Sequence, residues 1–201
     1  MKKRLFVFIS IIYSVMVYSQ GKWMWVKGTT AGAVYGTIGV GNAANQPESR
    51  YEPLEWTDKD GVFWMFGGIV GSGEKGDMWK YDPFTDEWTW MNGTATLNQT
   101  GVYGVLGVPS SNNTPGGRGC GVTWTDTAGY LWMFAGAGSD SVATLGELND
   151  LWRYDPHPLS PTYNQWTWMH GSGICAQPGV YGTIKIPAPA NVPGSHSGII
   201  Q

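Results

Sequence analysis

Charge is scarce in this sequence. Only 13% of its 201 residues are Asp, Glu, Lys or Arg, and there are three histidines and two cysteines. So little charge leaves few polar side chains to coat a compact helical protein. No basic run occurs after Lys2-Lys3-Arg4, and without those three the balance is nine positive against fifteen negative charges. Nucleic-acid binding needs a cationic footprint that displaces condensed counterions, so that function class is excluded. Docking on an anionic membrane surface is excluded on the same ground. The cysteines, Cys120 and Cys175, form no C-x-x-C pair for zinc or redox work. They permit a disulfide without establishing one. The longest apolar run, Leu5–Tyr18, falls short of the roughly 20 residues that span a bilayer. It follows the cationic triplet and ends with Val17 and Ser19 at the −3 and −1 positions of a cleavage site. Residues 1–19 therefore read as a secretory signal, with the mature chain starting near Gln20. Export places the product in the periplasm, on the cell surface or outside the cell.

Glycine and tryptophan are abundant instead, with 30 and 12 copies. Glycine serves tight turns and tryptophan supplies large apolar area between layers, so the composition points to an all-β protein of short strands. The sequence also repeats itself. Trp23-Met24-Trp25 returns as Trp88-Thr89-Trp90 and Trp166-Thr167-Trp168. Val34-Tyr35-Gly36 returns as Val102-Tyr103-Gly104 and Val180-Tyr181-Gly182. Trp64-Met65-Phe66-Gly67-Gly68 returns as Trp132-Met133-Phe134-Ala135-Gly136, and Asp77-Met78-Trp79-Lys80-Tyr81-Asp82-Pro83 as Asp150-Leu151-Trp152-Arg153-Tyr154-Asp155-Pro156.

Each unit reads as four strands. In the first, these are Tyr51–Thr57, Val62–Phe66, Asp77–Tyr81 and Glu87–Met91. In the second, they are Gly119–Thr125, Tyr130–Phe134, Asn149–Tyr154 and Gln165–Met169. Asp-x-x-Gly turns join the first two strands. The second strand is apolar at nearly every position, so both faces of the sheet need cover, which copies of the unit can provide by stacking. The stretches between units, such as Asn92–Gly117, are long loops, and the recurrent tyrosines within them suggest a packed structural role.

The spacing of Gly67-Gly68, Tyr81 and Trp88, and of Gly136, Tyr154 and Trp166, resembles the kelch repeat of β-propellers. The units are also similar to the galactose-oxidase-like central propeller class. Ala135 replaces the first glycine of the second pair, a mild change, and Pro158 and Pro161 widen the loop before Trp166. The resemblance implies a kelch-type β-propeller over residues 20–201, with blades at 51–91 and 118–169. It also implies an orphan outer strand at 22–27 and the start of a further blade at 196–201. Propellers have typically four to eight blades, so the expected product is a partial propeller whose open blades invite self-association.

Catalytic, cofactor and metal roles find no residues at suitable spacing. His157, His170 and His196 lie apart, and Asp58-Lys59-Asp60-Gly61 lacks the later ligands of a calcium loop. The loop holding Asp140 and Glu147 differs between units and is the best place for blade-specific recognition. Tyr163, in the Pro-rich loop, could stack on a sugar face. The expectation is an exported, non-catalytic module that binds protein or glycan through its loops. The alternative is part of a secreted propeller enzyme, a glycan hydrolase or copper oxidase, with its catalytic residues elsewhere.

Overall fold

The structure is a computed structural model that describes residues 24–29 and 32–198. Among these residues there is no helix, and every sheet is antiparallel. The first sheet runs in the order β1 (Leu54–Thr57), β2 (Phe63–Phe66), β5 (Met78–Asp82) and β6 (Glu87–Asn92). A short hairpin of β3 (Ile69–Val70) and β4 (Gly73–Glu74) interrupts it. In the second sheet one edge position is shared by β7 (Arg118–Gly119) and β8 (Val122–Thr125). Then follow β9 (Leu131–Ser139), β10 (Leu145–Tyr154) and β11 (Trp166–His170). Neither sheet closes on itself. Two antiparallel sheets, of four and five strands, packed against each other are compatible with a propeller-like fold.

Local chemistry explains the hairpins. Asp58 Oδ1 accepts the amides of Asp60 and Val62, and its Oδ2 accepts Trp64 Nε1 at 2.8 Å. Asp126 repeats the device with the Tyr130 amide and Trp132 Nε1. One carboxylate thus fixes both the turn and the first large side chain of the next strand.

The core lies between the two sheets. Leu54, Trp56, Trp64, Phe66, Met78 and Met91 of the first face Leu131, Met133, Trp152, Tyr154 and Trp166 of the second. Trp56 donates its indole N–H to the Trp132 carbonyl at 2.7 Å, and its ring centroid lies 6.5 Å from that of Trp166. Trp64 meets Tyr154 edge-on at 5.5 Å. Where β8 meets β1, Thr123 and Thr125 donate their hydroxyls to the carbonyls of Glu55 and Thr57.

The expected strand positions hold to within a few residues, except that β9 and β10 continue past Gly136 as a long ribbon. Two flanking strands differ from expectation. Lys22 and Trp23 lie outside the described residues. Met24–Lys27 form no strand, and Met24 and Trp25 are 78% and 76% exposed. At the other end His196 makes only an isolated bridge to Leu148, and residues 199–201 lie outside the described residues. In both cases no neighbouring strand among the described residues supplies a ladder. Residues 1–19, which the sequence suggests are a secretory signal, also lie outside the described residues.

Candidate recognition surface

The repeated residues converge on a buried lock that each sheet builds once. In the second sheet, Asn149 and Asp150 form an irregularity in the β9–β10 register, and the Asp150 carboxylate is fully buried. It receives Arg118 Nη1 at 2.6 Å and Nη2 at 2.9 Å, Tyr103 Oη at 2.5 Å and Trp152 Nε1 at 2.7 Å. In the first sheet Asp77 receives Arg50, Tyr35 Oη at 2.7 Å and Trp79 Nε1 at 2.8 Å. Burial alone would raise the Asp77 carboxyl. The Arg50 hydrogen bonds and charge, helped by Trp79 and Tyr35, hold it below the usual carboxylate range. Burial and the neighbouring carboxylates push the hydroxyls of Tyr35 and Tyr103 above the ordinary tyrosine range.

The tyrosine of each lock comes from the long loop preceding its sheet. That loop runs along the outermost strand, with Gly39 N donating to Trp90 O and Gly107 N to Trp168 O. Asn45 and Asn113 donate side-chain amides to the carbonyls of Trp88 and Trp166. Each loop therefore covers an edge that would otherwise expose free backbone groups. The tyrosines are structural, as the repeat suggested. Sequence reasoning missed Arg50, Arg118, Asn45 and Asn113, whose signal was their recurrence at the same offset as the tyrosines.

The motif residues take related places. Gly67 and Gly68 have φ of 66° and 97°, and Gly68 donates its amide to Arg118 O, where the next unit passes close by. Gly136 sits likewise, with its amide donated to His196 O. Ala135, whose exchange for glycine the sequence suggests is mild, keeps the left-handed φ of 61°. Tyr81 pairs across strands with Trp88, and Tyr154 with Trp166, with ring centroids 5.1 and 5.0 Å apart.

The three proposed recognition residues are not brought together. Asp140 is fully buried, and its carboxylate accepts the amides of Val142, Thr144 and Cys175. Glu147 is exposed on β10 and accepts the Ser197 hydroxyl at 2.9 Å. Tyr163 is half-buried and packs against the core.

A different set of side chains meets at the end of the sheets that carries the β1–β2 and β5–β6 turns. Asp58, Lys59 and Asp60 there line a small notch with Gly129, Pro156, His157 and Pro158. Asp155 organises the adjoining loop. It accepts the hydroxyls of Ser160 and Thr162 at 2.5 and 2.6 Å, and the amide and Nδ1 of His157 at 3.0 and 2.7 Å. The Ser160 hydroxyl and the His157 ring thus bind the same carboxylate rather than each other, and His157 Nε2 lies 3.0 Å from the Ala128 carbonyl. A nucleophile needs its base within direct reach, so this trio holds a loop rather than a nucleophile. At the two loop tips stand Phe84 and Leu159, 82% and 99% exposed. Phe84 is held by its amide on Asp82 Oδ1.

The cysteines are not bridged: Cys120 is half-buried and Cys175 buried. Burial, then Glu52, whose carboxylate lies 2.6 Å from Sγ, pushes the Cys120 thiol up to about 11, which favours the protonated thiol over the nucleophilic thiolate at neutral pH. Among the described residues no group of three His, Cys, Asp or Glu side chains could hold a metal. Comparison with protein-family models finds no match for this chain, and neither does comparison with curated proteins.

Proposed function

We propose that this chain is a kelch-type propeller segment of an exported, non-catalytic module that recognises a protein or glycan ligand. The recognition surface is the end bearing the Asp58–Gly61 turn and the Pro156–Thr162 loop. One observation carries this reading: the side chains that the two sheets share are engaged within the frame, while this end presents two apolar tips on loops that differ. Phe84 and Leu159 are 82% and 99% exposed. The same end carries a polar notch with Lys59, Asp60 and His157. Apolar tips and hydrogen-bonding groups at one end suit a ligand with both kinds of surface, and rigid positioning limits the entropy lost on binding. Asp155 and Asp82 supply that rigidity through their bonds to the loop backbones.

The test is a glycan array and a cell-surface protein array probed with the mature chain, with a Phe84→Ser/Leu159→Ser variant alongside. Both side chains are exposed, so the variant keeps its circular dichroism spectrum. A ligand that the native chain retains and the variant loses by at least tenfold supports the reading. Equal retention by both, or turnover of an arrayed glycan, overturns it.

A further inference from the structure

The molecule contains a third lock that is only half built. Val180 and Val192 form the same antiparallel bridge as Val34–Gln46 and Val102–Thr114. Tyr181 stands where Tyr35 and Tyr103 stand, and Asn191 where Asn45 and Asn113 stand. Asn191 makes the bond within its own loop, to Ile186 O, just as Asn45 bonds Val40 O and Asn113 bonds Val108 O. In the first two copies this asparagine also bonds an outer strand, and the tyrosine also bonds a carboxylate. Tyr181 instead is 77% exposed. A shallow groove opens beside it, lined by Ile184, Ile186 and Asn191.

His196 stands at the position of Arg50 and Arg118. Its amide donates to Leu148 O and its carbonyl accepts from Gly136, as the Arg118 amide donates to Lys75 O and its carbonyl accepts from Gly68. Its Nδ1 is buried without a partner. The exposed flank of the second sheet adjoins this site. There Trp124, 42% exposed, stacks on Trp132, and a groove of about 360 Å³ runs between Val122, Phe134, Leu151 and Val192. Val122, Trp124, Trp132 and Phe134 are the counterparts of Leu54, Trp56, Trp64 and Phe66, which are buried against the second sheet.

We infer that residues 179–196 and the outer flank of β8–β9 form a docking surface for one more sheet of this repeat. Its third strand would carry Asp-x-Trp-x-Tyr and its outer strand Trp-x-Trp. The occupant follows from internal precedent. The same surface is covered once within this molecule, by Leu131, Met133, Tyr154 and Trp166, with Asp150 closing the lock. The aspartate would accept Tyr181 Oη and face the unpartnered His196 nitrogen. The tryptophan pair would lie along the Asn191 loop. This inference rests on the repeated geometry and not on the ligand-binding reading, and each can fail alone.

The test extends the full chain after Gln201 with a copy of its residues 124–170, which continues the register that aligns His196 with Arg118. Iodination of Tyr181 is followed by mass spectrometry in the native and extended chains. Tyr181 should react at least tenfold more slowly in the extended chain. The protection should disappear when the appended copy carries Asn at the position of Asp150, while Trp fluorescence shows that copy still folded. Undiminished Tyr181 reactivity overturns the inference, whether the appended sheet folds elsewhere or stays unfolded. So does protection that is indifferent to the Asp→Asn change. Protection of Tyr181 in the native chain alone, rising with concentration together with sedimentation as a dimer, overturns it in favour of a second copy of this chain.

Discussion

Leu131 is fully buried, whereas Phe63, its counterpart one unit earlier, is 47% exposed. Trp166 is fully buried and Trp88 half-buried. Tyr103 is 7% exposed within the core, whereas Tyr35 is only half-buried. The strands that hold the first two pairs have the same order, register and turn chemistry in both sheets. The difference lies in what stands against them. The second sheet presents this flank to the first, while the same flank of the first, with Phe63 and Tyr81 stacked 6.4 Å apart, faces open space among the described residues. A strand's apolar pattern therefore states which surfaces can be covered, and stacking decides which of them are. The same substitution made in each sheet measures what the stacking contributes.

The largest effect is expected at the locks. Asp150→Ala would leave the Arg118 guanidinium, fully buried, without its counter-charge. Removing one partner of a buried ion pair costs about 3–5 kcal/mol. Asp77→Ala orphans Arg50 in a lock whose tyrosine is only half-buried, and whose covering loop can yield to water. Its cost should lie nearer 2–3 kcal/mol by the same principle. Urea denaturation of both variants checks the order. Equal losses would mean that the exposed side of the first sheet does not soften its lock.

Truncating the paired tryptophans sharpens the comparison. Trp166 touches Trp56, Phe66, Trp152 and Tyr154, so Trp166→Ala should cost about 3–5 kcal/mol. Trp88 keeps only its own sheet's contacts with Trp79 and Tyr81, and Trp88→Ala should cost about 1–2 kcal/mol. Thermal unfolding of both variants gives the difference directly.

The sheets themselves were legible in the sequence because their signals are local. Asp58 and Asp126 announce turns, Pro83 and Pro156 end strands, and Trp-x-Trp marks the outer edges. The partners of the long loops were not legible. Nothing near Tyr103 says that its hydroxyl meets Asp150, which lies 47 residues away. Only the joint recurrence of Arg, Tyr, Asn and Asp could have suggested one shared site. Burial also misled the reading of function. Asp140 sits in a loop that varies between units and so looked available for recognition, but its carboxylate closes a turn against three backbone amides. The exposed tips Phe84 and Leu159 drew no attention, since a single apolar residue in a loop carries no pattern.

The smallest effect is expected at Ala135, and the residue after the second strand gives the most direct contrast between the units. Gly67 has φ of 66° and Ala135 has φ of 61°, so one is glycine in a left-handed conformation and the other bears a side chain there. A methyl group on Gly67 would press on the Arg118 carbonyl and lie 3.0 Å from the Lys75 carbonyl, both backbone atoms that cannot swing aside. Gly67→Ala should therefore cost the left-handed penalty of about 1–2 kcal/mol, with the clash in addition. Ala135→Gly relieves that penalty, but it removes a buried methyl and frees the unfolded chain, which costs about 0.4–1 kcal/mol. Its net effect should be close to zero. The two substitutions thus run in opposite directions between the same two residues, and their free energies should fail to cancel. If Gly67→Ala proved as mild as Ala135→Gly, the close passage of the second unit's first strand past Gly67 would not be a constraint on how the sheets stack.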